Sequence, residues 1–290
     1  MLCCDGFYQR HLLLRAAERL DLVGVVLQHP SRQRRSLWSR LNRYRDPSAV
    51  ARQLVARWRL PAEELRGLQL RRELFGADMA PLPQGVPLLE TDAINGEESV
   101  DFLRERAPDL VLVNGTQLLR APILSLLGQI RYGIINLHTG LSPYSRGANC
   151  NLYMILESHP ELVGVTIHHI NAGIDSGDII RSAQVPLEPD DNFETIDVRS
   201  FHLGIELLLQ SAAELVSARA ERVPQWESGK LFLQRTGYHY EPWQRLQASR
   251  LLAHGLLDEY LRHKQQRDAH VRLVGPASLI PAATVEGGQR

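Results

Sequence analysis

Short apolar runs alternate with helical patterns along most of this chain of 290 residues. Runs such as LVGVVLQ (22–28) and LVLV (110–113) are typical of strands that are buried on both faces. Alternation of such strands with helices predicts a mostly parallel sheet flanked by helices, an α/β fold. The predicted strands are 1–4, 22–28, 110–113, 133–138, 163–170 and 178–186, and the predicted helices are 7–20, 99–106, 122–127, 149–157 and 193–220.

An insertion at about residues 30–83 interrupts this alternation and is much longer than the usual connection between such elements. Its first half contains nine Arg and one Asp. The pattern allows two interpretations: two amphipathic helices that dock by their apolar stripes, or a basic cover over an anionic substrate, since Arg binds carboxylates and phosphates through paired N–H groups. The two stripes consist of Leu37, Trp38, Leu41 and Tyr44, and of Val50, Leu54 and Trp58.

The tail from residue 226 onward is the second departure from the pattern. It contains a strand-like run at 231–234 and a helical pattern at 248–264, and its end includes Pro and Gly. We therefore predict a main domain over residues 1–225, which includes the insertion, and a short C-terminal extension over residues 226–290.

Composition excludes several classes of protein. Lys+Arg and Asp+Glu are equal at 33 each, so nothing in the overall charge predicts binding to nucleic acid or to a membrane surface. Three cysteines without a CxxC pair do not predict a disulfide framework or a thiolate zinc site. Without a signal-peptide pattern or an apolar run of about 18 residues, a cytoplasmic location is expected.

The stretch INLHTGLSPYSRG (135–147) places two polar residues at the end of a predicted strand. Residues two apart on a strand point to the same side, so Asn136 and His138 face one crevice. In open α/β sheets, ligands bind outside the carboxyl ends of the strands. The alternative for each residue alone is structural: Asn as a cap and His as a satisfied core residue.

An acidic residue follows in the stretch GVTIHHINAGIDSGDII (164–180). Asp175 lies in a loop after the next predicted strand, where an Asp alone is usually a turn former. In the same strand, His168 and His169 raise the question of a metal site. Adjacent strand residues face opposite sides, so at most one of them joins His138, and no metal is expected.

In this region the sequence resembles the formyltransferases that use 10-formyltetrahydrofolate, which include glycinamide ribonucleotide, methionyl-tRNA, amino-sugar and hydroxyornithine formyltransferases. The resemblance rests on NLH, TGLSP, RG, GVT and DSG in this order, and it covers residues 108–186 best. It implies a Rossmann-like formyltransferase fold, with Asn136, His138 and Asp175 as catalytic residues. His138 titrates in a useful range, and Asp175 would hold it in the useful protonation state.

The resemblance also implies where the folate co-substrate and the amine acceptor bind. The pterin is expected against the main chain of two loops, 114–120 and 170–175, where Gly115 and Gly173 allow close approach. The expected folate-binding residues are Asn114, Gly115, Gln117, Leu118, Arg120, Asn171, Gly173 and Ile174. The expected acceptor-binding residues are Phe7, Tyr8, Tyr144, Arg146 and Asn149, of which Arg146 is equally well explained as a loop-fixing residue.

Departures from the family pattern narrow the choice of acceptor molecule. The usual Ser-Leu-Leu-Pro loop is Gly140-Leu-Ser-Pro143 here, and the phosphate-binding loop of the glycinamide ribonucleotide enzymes is replaced by Asp5-Gly-Phe-Tyr8. The tail is shorter than the barrel that the methionyl-tRNA enzymes append. We therefore expect a small-molecule amine acceptor, either a hydroxyornithine-type siderophore precursor or a nucleotide-linked amino sugar. The alternatives are a hydrolase that releases formate and an inactive folate-binding relative.

Overall fold

A computed structural model of the chain describes residues 1–29 and 46–275. Within these residues the strands are β1 (Leu2–Cys4), β2 (Val25–Gln28), β3 (Leu88–Thr91), β4 (Val111–Asn114), β5 (Ile134–His138), β6 (Ser145–Gly147), β7 (Gly164–His169), β8 (Ile179–Gln184) and β9 (Lys230–Phe232). The α-helices are α1 (Phe7–Arg19), α2 (Pro47–Phe75), α3 (Glu97–Arg106), α4 (Ala121–Leu124), α5 (Cys150–Leu156), α6 (Phe193–Val216), α7 (Pro242–Leu251), α8 (Leu257–Arg262) and α9 (Lys264–Asp268).

One sheet has the strand order β3-β2-β1-β4-β5-β7-β8, and β6 pairs with β9 in a separate two-stranded sheet. The first five strands of the large sheet are parallel, whereas β7 runs antiparallel to both β5 and β8. This arrangement confirms the predicted mostly parallel α/β sheet. It also places β8 parallel to β5, so both strands end at the same edge.

Helices cover both faces of the large sheet because its strands are apolar on both sides. Leu12 of α1, Leu152 of α5 and Leu208 of α6 are buried in one cluster with one face. Val100 of α3 and Ile123 of α4 belong to the cluster on the other face. The two apolar clusters fix β5 in the middle of the molecule, with β4 and β7 as its neighbours.

Helix α6 begins at the edge where β5 and β8 end. Its N-cap Asn192 accepts from the N–H of Thr195, and the Thr195 side chain accepts from the Asn192 N–H, which completes a capping box. Further along α6, Leu137 of β5 packs against Gly204. The helix therefore runs back beneath the sheet from this edge.

Much of the predicted Arg-rich insertion is one helix, α2, which starts after the N-cap Asp46 and continues through Pro61. The stripe 37–44 lies outside the described residues. The prediction that Val50, Leu54 and Trp58 form a docking face is wrong, because Leu54 and Trp58 are 64% and 76% exposed. The docked face contains Ala56, Leu60 and Gly67 instead.

Strands β3 and β6 were not expected from the sequence, and the predicted helix at 248–264 is interrupted. Both strands are only three or four residues long, and β3 lies at the sheet edge with alternate residues exposed. The helical stretch breaks at Gly255, which has a φ of 104°. None of the helices in the described ranges is both long enough and apolar enough to span a membrane.

Candidate active site

The end of β5 carries Asn136 and His138 on one side of the sheet, while Ile135 and Leu137 are buried in the core on the other. The strand pairs with β4 on one side and β7 on the other, with Asn136 opposite His168. This register brings a third polar side chain to the same face as Asn136 and His138.

The loop after β5 is held by a short hydrogen-bond chain. The Ser142 N–H donates to the Thr166 hydroxyl at 2.9 Å, and this hydroxyl donates to the Gly140 carbonyl at 2.8 Å. A Cβ at Gly140 would overlap the His138 Nε2 and the Cys150 Cβ. Glycine at position 140 therefore leaves room for the buried imidazole.

His138 is 6% exposed and lies between a carbonyl and a carboxylate. Its Nε2 is 3.3 Å from the Ser145 carbonyl oxygen, and its Nδ1 is 3.7 Å from Asp175 Oδ2. Burial lowers the pKa of His138 below its ordinary value, and the opposing effect of the Asp175 charge does not reverse the shift. The imidazole is therefore mainly neutral near pH 7.

Asp175 lies at the turn of the loop that follows β7. It has a φ of 43°, the left-handed region that non-glycine residues rarely adopt. Its Oδ2 accepts from the Gly147 N–H at 2.9 Å, and its Oδ1 is 3.4 Å from His168 Nε2. Burial raises the pKa of Asp175, but the neighbouring His138 and the hydrogen bond from His168 outweigh burial and hold the pKa below its usual range. The carboxylate is therefore ionised.

A glycine allows this loop to pack closely against the end of β7. A Cβ at Gly177 would overlap the main-chain oxygen of His169, so the Gly of the DSG motif is required by close packing of the chain. Strand β7 is antiparallel to β5, so the loop after it starts near the amino end of β5 and crosses the sheet face to reach His138. Asp175 therefore does not follow the rule that site residues lie at the carboxyl ends of parallel strands, because it comes from the loop after an antiparallel strand.

His168 is a fourth member of the cluster, and its position was not identified from the sequence. Its Nε2 lies between Asn136 Nδ2 at 3.3 Å and Asp175 Oδ1 at 3.4 Å, and its Nδ1 is 2.9 Å from the His169 carbonyl oxygen. An Nε2 without a proton accepts from the Asn136 amide, and an Nε2 with a proton donates to the carboxylate. In any one protonation state Nε2 makes only one of these two contacts as a hydrogen bond, so His168 lies between Asn136 and Asp175 as a partner of either. Strand alternation signalled that only one of His168 and His169 faces this side, but not which one.

Gln225 supports the Asp175 loop from outside the cluster. Its Nε2 donates to the Asp175 carbonyl oxygen at 2.8 Å and to the Gly177 carbonyl oxygen at 3.0 Å. These two bonds fix the main chain on both sides of Ser176, next to the left-handed Asp175. The sequence gives no signal for this residue, because its partners are main-chain atoms of a distant loop.

The loops expected to bind folate flank β5. Asn114 is buried, where it accepts from Gln9 Nε2 at 2.6 Å and donates to the Leu137 carbonyl oxygen at 3.2 Å. After it, Gly115 has a φ of 74°, and Gln117, Leu118 and Arg120 are exposed. The N–H groups of Gln117 and Arg120 donate to side chains of Gln28 and Asn95.

The second loop expected to bind folate is exposed, and hydrogen bonds within the loop stabilise it. Asn171 Oδ1 accepts from the Gly173 N–H and from the Ser176 hydroxyl, both at 2.9 Å. Asn171 and Gly173 are exposed, and Ile174 is half-buried next to Asp175.

The residues expected to bind the acceptor are spread over three places. Phe7 and Tyr8 lie in the first turn of α1, where Tyr8 stacks on Phe201 of α6 with a centroid distance of 4.1 Å. The Tyr144 hydroxyl accepts from the Arg272 N–H at 2.7 Å, so this side chain binds the C-terminal segment. The remaining two lie near β6: Arg146 has a buried Nε without a partner among the described residues, and Asn149 is exposed with a φ of 56°.

The described residues contain no group of three or more His, Cys, Asp or Glu with the arrangement of a metal site. The cluster at β5 consists of an amide, a neutral imidazole, a carboxylate and a second imidazole. Such a set can donate hydrogen bonds to a developing oxyanion and can move a proton near neutral pH.

Comparisons with known proteins agree with this fold. Over 154 residues the chain is 30% identical to a methionyl-tRNA formyltransferase of Thermotoga maritima. The aligned stretch covers 50% of this chain and 48% of that protein. The chain spans about half the length of the curated relatives that it matches.

Two solved structures share the fold. One is the N-formyltransferase of Helicobacter canadensis in complex with folinic acid and dTDP-3-aminofucose, with a TM-score of 0.50, 13% identity and coverage of 85% of this chain and 78% of that one. The other is the phosphoribosylglycinamide formyltransferase of Anaplasma phagocytophilum, with a TM-score of 0.50, 16% identity and coverage of 79% and 95%. The family profile described as formyl transferase matches residues 66–211, half of the chain, so the chain belongs to the formyl transferase family.

Proposed function

We propose that this protein transfers a formyl group from 10-formyltetrahydrofolate to the amine or hydroxylamine nitrogen of a small molecule. The observation that supports this proposal most strongly is the meeting of Asn136 and His138, both on β5, with Asp175 from the loop after β7. His138 Nδ1 lies 3.7 Å from Asp175 Oδ2, and His168 Nε2 lies between Asp175 and Asn136, at 3.4 Å and 3.3 Å. These groups match the requirements of acyl transfer to nitrogen.

The reaction needs stabilisation of negative charge and transfer of one proton. The acceptor nitrogen attacks the formyl carbon, and negative charge develops on the formyl oxygen in a tetrahedral intermediate. The C–N10 bond then breaks, and the proton lost by the acceptor nitrogen is balanced by one gained at N10. The Asn136 amide is an uncharged donor for the oxyanion, and neutral His138 accepts the proton from the nitrogen.

Asp175 acts on His138 through its charge. A separation of 3.7 Å is too long for a direct hydrogen bond, but an ionised carboxylate at this distance stabilises the imidazolium that forms when His138 takes a proton. The Gly147 N–H and His168 hold the carboxylate in place. No covalent bond to the protein is required, and the Cys150 thiol, whose pKa burial raises far above neutrality, takes no part.

The donor is expected between the two loops that flank β5. The main chain is exposed at Gly115 and Gly173 and offers C=O groups to a pterin, whereas the Gly173 N–H is already bonded to Asn171. The Helicobacter canadensis enzyme with the same fold binds folinic acid, which is itself a formylated folate. This supports 10-formyltetrahydrofolate as co-substrate.

Fewer observations bear on the identity of the acceptor than on the identity of the formyl donor. We propose a hydroxyornithine-type siderophore precursor or a nucleotide-linked amino sugar, and the dTDP-3-aminofucose complex supports the second class. Because the curated relatives are methionyl-tRNA formyltransferases, the amine of methionyl-tRNA is a second candidate acceptor. A hydrolase would use water instead, and an inactive relative would need none of the clustered side chains.

The proposal is tested by incubating the protein with 10-formyltetrahydrofolate and a panel of acceptors. The panel contains ornithine, N-hydroxyornithine, several nucleotide-linked amino sugars and methionyl-tRNA, and the absorbance of tetrahydrofolate reports turnover. We expect turnover with at least one small amine, lowered by about two to four orders of magnitude in Asn136→Ala, His138→Ala and Asp175→Ala. Equal turnover with and without any amine would identify a hydrolase, and no turnover under any condition would contradict catalysis.

A further inference from the structure

Helix α2 carries a line of exposed apolar side chains along its solvent face. Leu54, Trp58 and Leu65 are 64%, 76% and 59% exposed, which is unusual for side chains of this size. Their spacing along the helix places them on one face, and the exposed Pro61 continues the line between them. We call these four side chains the α2 stripe.

The docked face of the same helix explains why the α2 stripe stays in solvent. Ala56, Leu60 and Gly67 are buried, and each lies two positions after a large residue of the stripe. Two residues turn an α-helix by about 200°, so the docked face and the stripe point in nearly opposite directions. Leu60 packs in a cluster with Leu246 of α7, and a Cβ at Gly67 would overlap the Glu194 Cβ of α6. The docking of α2 on α6 and α7 therefore keeps the stripe outside.

Arginine side chains lie on both sides of the α2 stripe. Arg57 directly precedes Trp58, and Arg59 directly follows it. Arg66 follows Leu65 in the same way. One residue turns the helix by about 100°, so these guanidinium groups flank the stripe and do not interrupt it. The Arg59 guanidinium lies 5.3 Å from the centroid of the Trp58 ring, so it stays close to the apolar residue that it flanks.

The exposed charges of α2 itself are mainly positive. They consist of four guanidinium groups and one carboxylate, from Arg57, Arg59, Arg66, Arg72 and Glu73. Four minus one leaves three net positive charges around the stripe. The acidic Glu63 and Glu64 are half-buried and bind other elements, because Glu63 accepts from Asn192 and Glu64 pairs with Arg245. The overall charge of the chain is balanced, but this surface is basic.

An apolar line between arginines complements an anionic lipid surface. In such a complex the apolar side chains enter the boundary between headgroups and acyl chains, while the arginines bind the anionic headgroups. A second copy of the chain would bring like charges together. Three large side chains also expose much less than the ~800 Å² that each partner of a stable dimer buries. Nucleic acid would bind the arginines, but Leu54 and Leu65 have no flat face on which bases could stack.

We infer that the exposed face of α2 binds the surface of an anionic lipid bilayer. The helix would lie parallel to the bilayer plane, with the α2 stripe directed towards the acyl chains and the arginines at the headgroup phosphates. From Leu54 to Leu65 the stripe is about 17 Å long, which is enough for a peripheral contact. Binding of this kind is reversible and does not require a helix that spans the bilayer.

The test is co-sedimentation of the full-length protein with lipid vesicles at ~0.1 M salt. One set of vesicles contains equal parts of phosphatidylcholine and phosphatidylglycerol, and the other contains phosphatidylcholine alone. We expect the protein to bind the anionic vesicles about tenfold or more tightly than the neutral ones, since each net Arg near such a surface contributes roughly a fivefold factor. Salt at ~0.5 M should remove most of this difference, because it screens the charges.

Variants of α2 separate the apolar contribution from the charge. Trp58→Ser, and Arg57→Gln combined with Arg59→Gln, should each weaken binding to the anionic vesicles about tenfold or more. The matched controls are Val216→Ser and Arg104→Gln, because both side chains are exposed on other helices. The controls should bind as the wild type does. All of these side chains are exposed, so circular dichroism should show folded proteins with similar thermal midpoints.

Other occupants of this face give different results. Failure of the folded wild type to bind anionic vesicles, or equal effects of Trp58→Ser and Val216→Ser, would overturn the inference. Fluorescence anisotropy with labelled single-stranded RNA and analytical ultracentrifugation test nucleic acid and a second copy. Tighter binding to RNA than to vesicles, or a dimer that Trp58→Ser dissociates, would assign the face to that partner and also overturn the inference. None of these outcomes depends on formyl transfer, so they leave the proposed function to its own test.

Discussion

At the scale of single residues, the protonation of His138 governs the proposed chemistry. Burial lowers its pKa, and the Asp175 charge partly opposes the shift. The base form therefore persists below the ordinary His pKa of about 6.5. We expect the acidic limb of the kcat/KM profile to lie below pH 6.5. In Asp175→Asn this limb should move to lower pH, and the pH-independent value of kcat/KM should fall. The profile is measured between pH 5 and 8 with enzyme-free blanks, and a limb at or above pH 6.5 in both proteins would contradict this account.

Gln225 is a positioning residue in this account, because its side chain donates to the main-chain oxygens of Asp175 and Gly177. Gln225→Met keeps the size of the side chain and removes two hydrogen bonds that hold the left-handed loop. We expect kcat to fall by about tenfold, with an unchanged KM for folate and a loss of roughly 1–3 kcal/mol in the free energy of unfolding. Gln210→Met, which removes one hydrogen bond to Glu214 on α6, is the control. Equal kcat values for the two variants would leave Gln225 with a purely structural role.

Asp197 should make stability depend on pH. Its pKa rises from 3.8 in the unfolded chain to about 6 in the folded one. The folded chain therefore holds the proton more tightly, and the free energy of unfolding falls as pH rises from about 4 to 6. Asp197→Asn should raise this free energy by about 1–2 kcal/mol at pH 7.5, since one pKa unit corresponds to about 1.4 kcal/mol and solvent screens part of the effect. Urea unfolding at pH 4 and pH 7.5 measures it, and an equal gain at both pH values would refute the ionisation argument.

At the scale of elements, α2 shows how an apolar stripe in a sequence misleads. Leu60 packs in a small cluster with Ala56 and Leu246, whereas Leu54 is mostly exposed. We expect Leu60→Ala to lower the free energy of unfolding by about 2–4 kcal/mol, through lost burial and the cavity left behind. Leu54→Ala should change it by less than about 0.5 kcal/mol. Chemical denaturation compares the two, and the reverse order would restore the predicted docking face.

The elements that the sequence predicts well are those whose signal is local. Strands β4 and β5 are short buried runs, and α6 repeats its apolar positions over 24 residues. In contrast, β6 exists because it pairs with β9 more than eighty positions away, and three residues contain too little pattern to reveal it. The same limit applies to the site: alternation placed Asn136 and His138 on one side, but the β5–β7 register decided that His168 joins them.

At the scale of the whole molecule, the predicted C-terminal extension supports the loop that carries the candidate site. Strand β9 pairs with β6, and Phe232 is fully buried against Tyr153 with a centroid distance of 4.9 Å. The N–H of Arg272 binds the Tyr144 hydroxyl in the same loop. Gly147, whose N–H donates to Asp175, lies in β6. The pairing of β6 with β9 and the bond from Arg272 to Tyr144 therefore both stabilise the segment that contains Gly147.

We therefore expect that a chain ending at residue 225 does not fold to an active unit. Its core would lose several large buried side chains, and burying one such side chain contributes about 1.5–3 kcal/mol. The lost side chains include Phe232, Leu246, Leu257 and Tyr260. Thermal unfolding followed by circular dichroism compares this chain with the full-length protein. A cooperative transition within a few degrees of the full-length midpoint would show that residues 1–225 are an independent domain.

The most direct measurement of the central claim is the fate of a ¹³C-labelled formyl group. The protein is mixed with formyl-labelled 10-formyltetrahydrofolate and the best acceptor of the panel, and ¹³C NMR distinguishes an N-formyl product from free formate. We predict that the label appears on the acceptor nitrogen, and that this signal disappears in His138→Ala under the same conditions. Label in free formate alone, or an undiminished N-formyl signal from His138→Ala, would contradict direct transfer at this cluster.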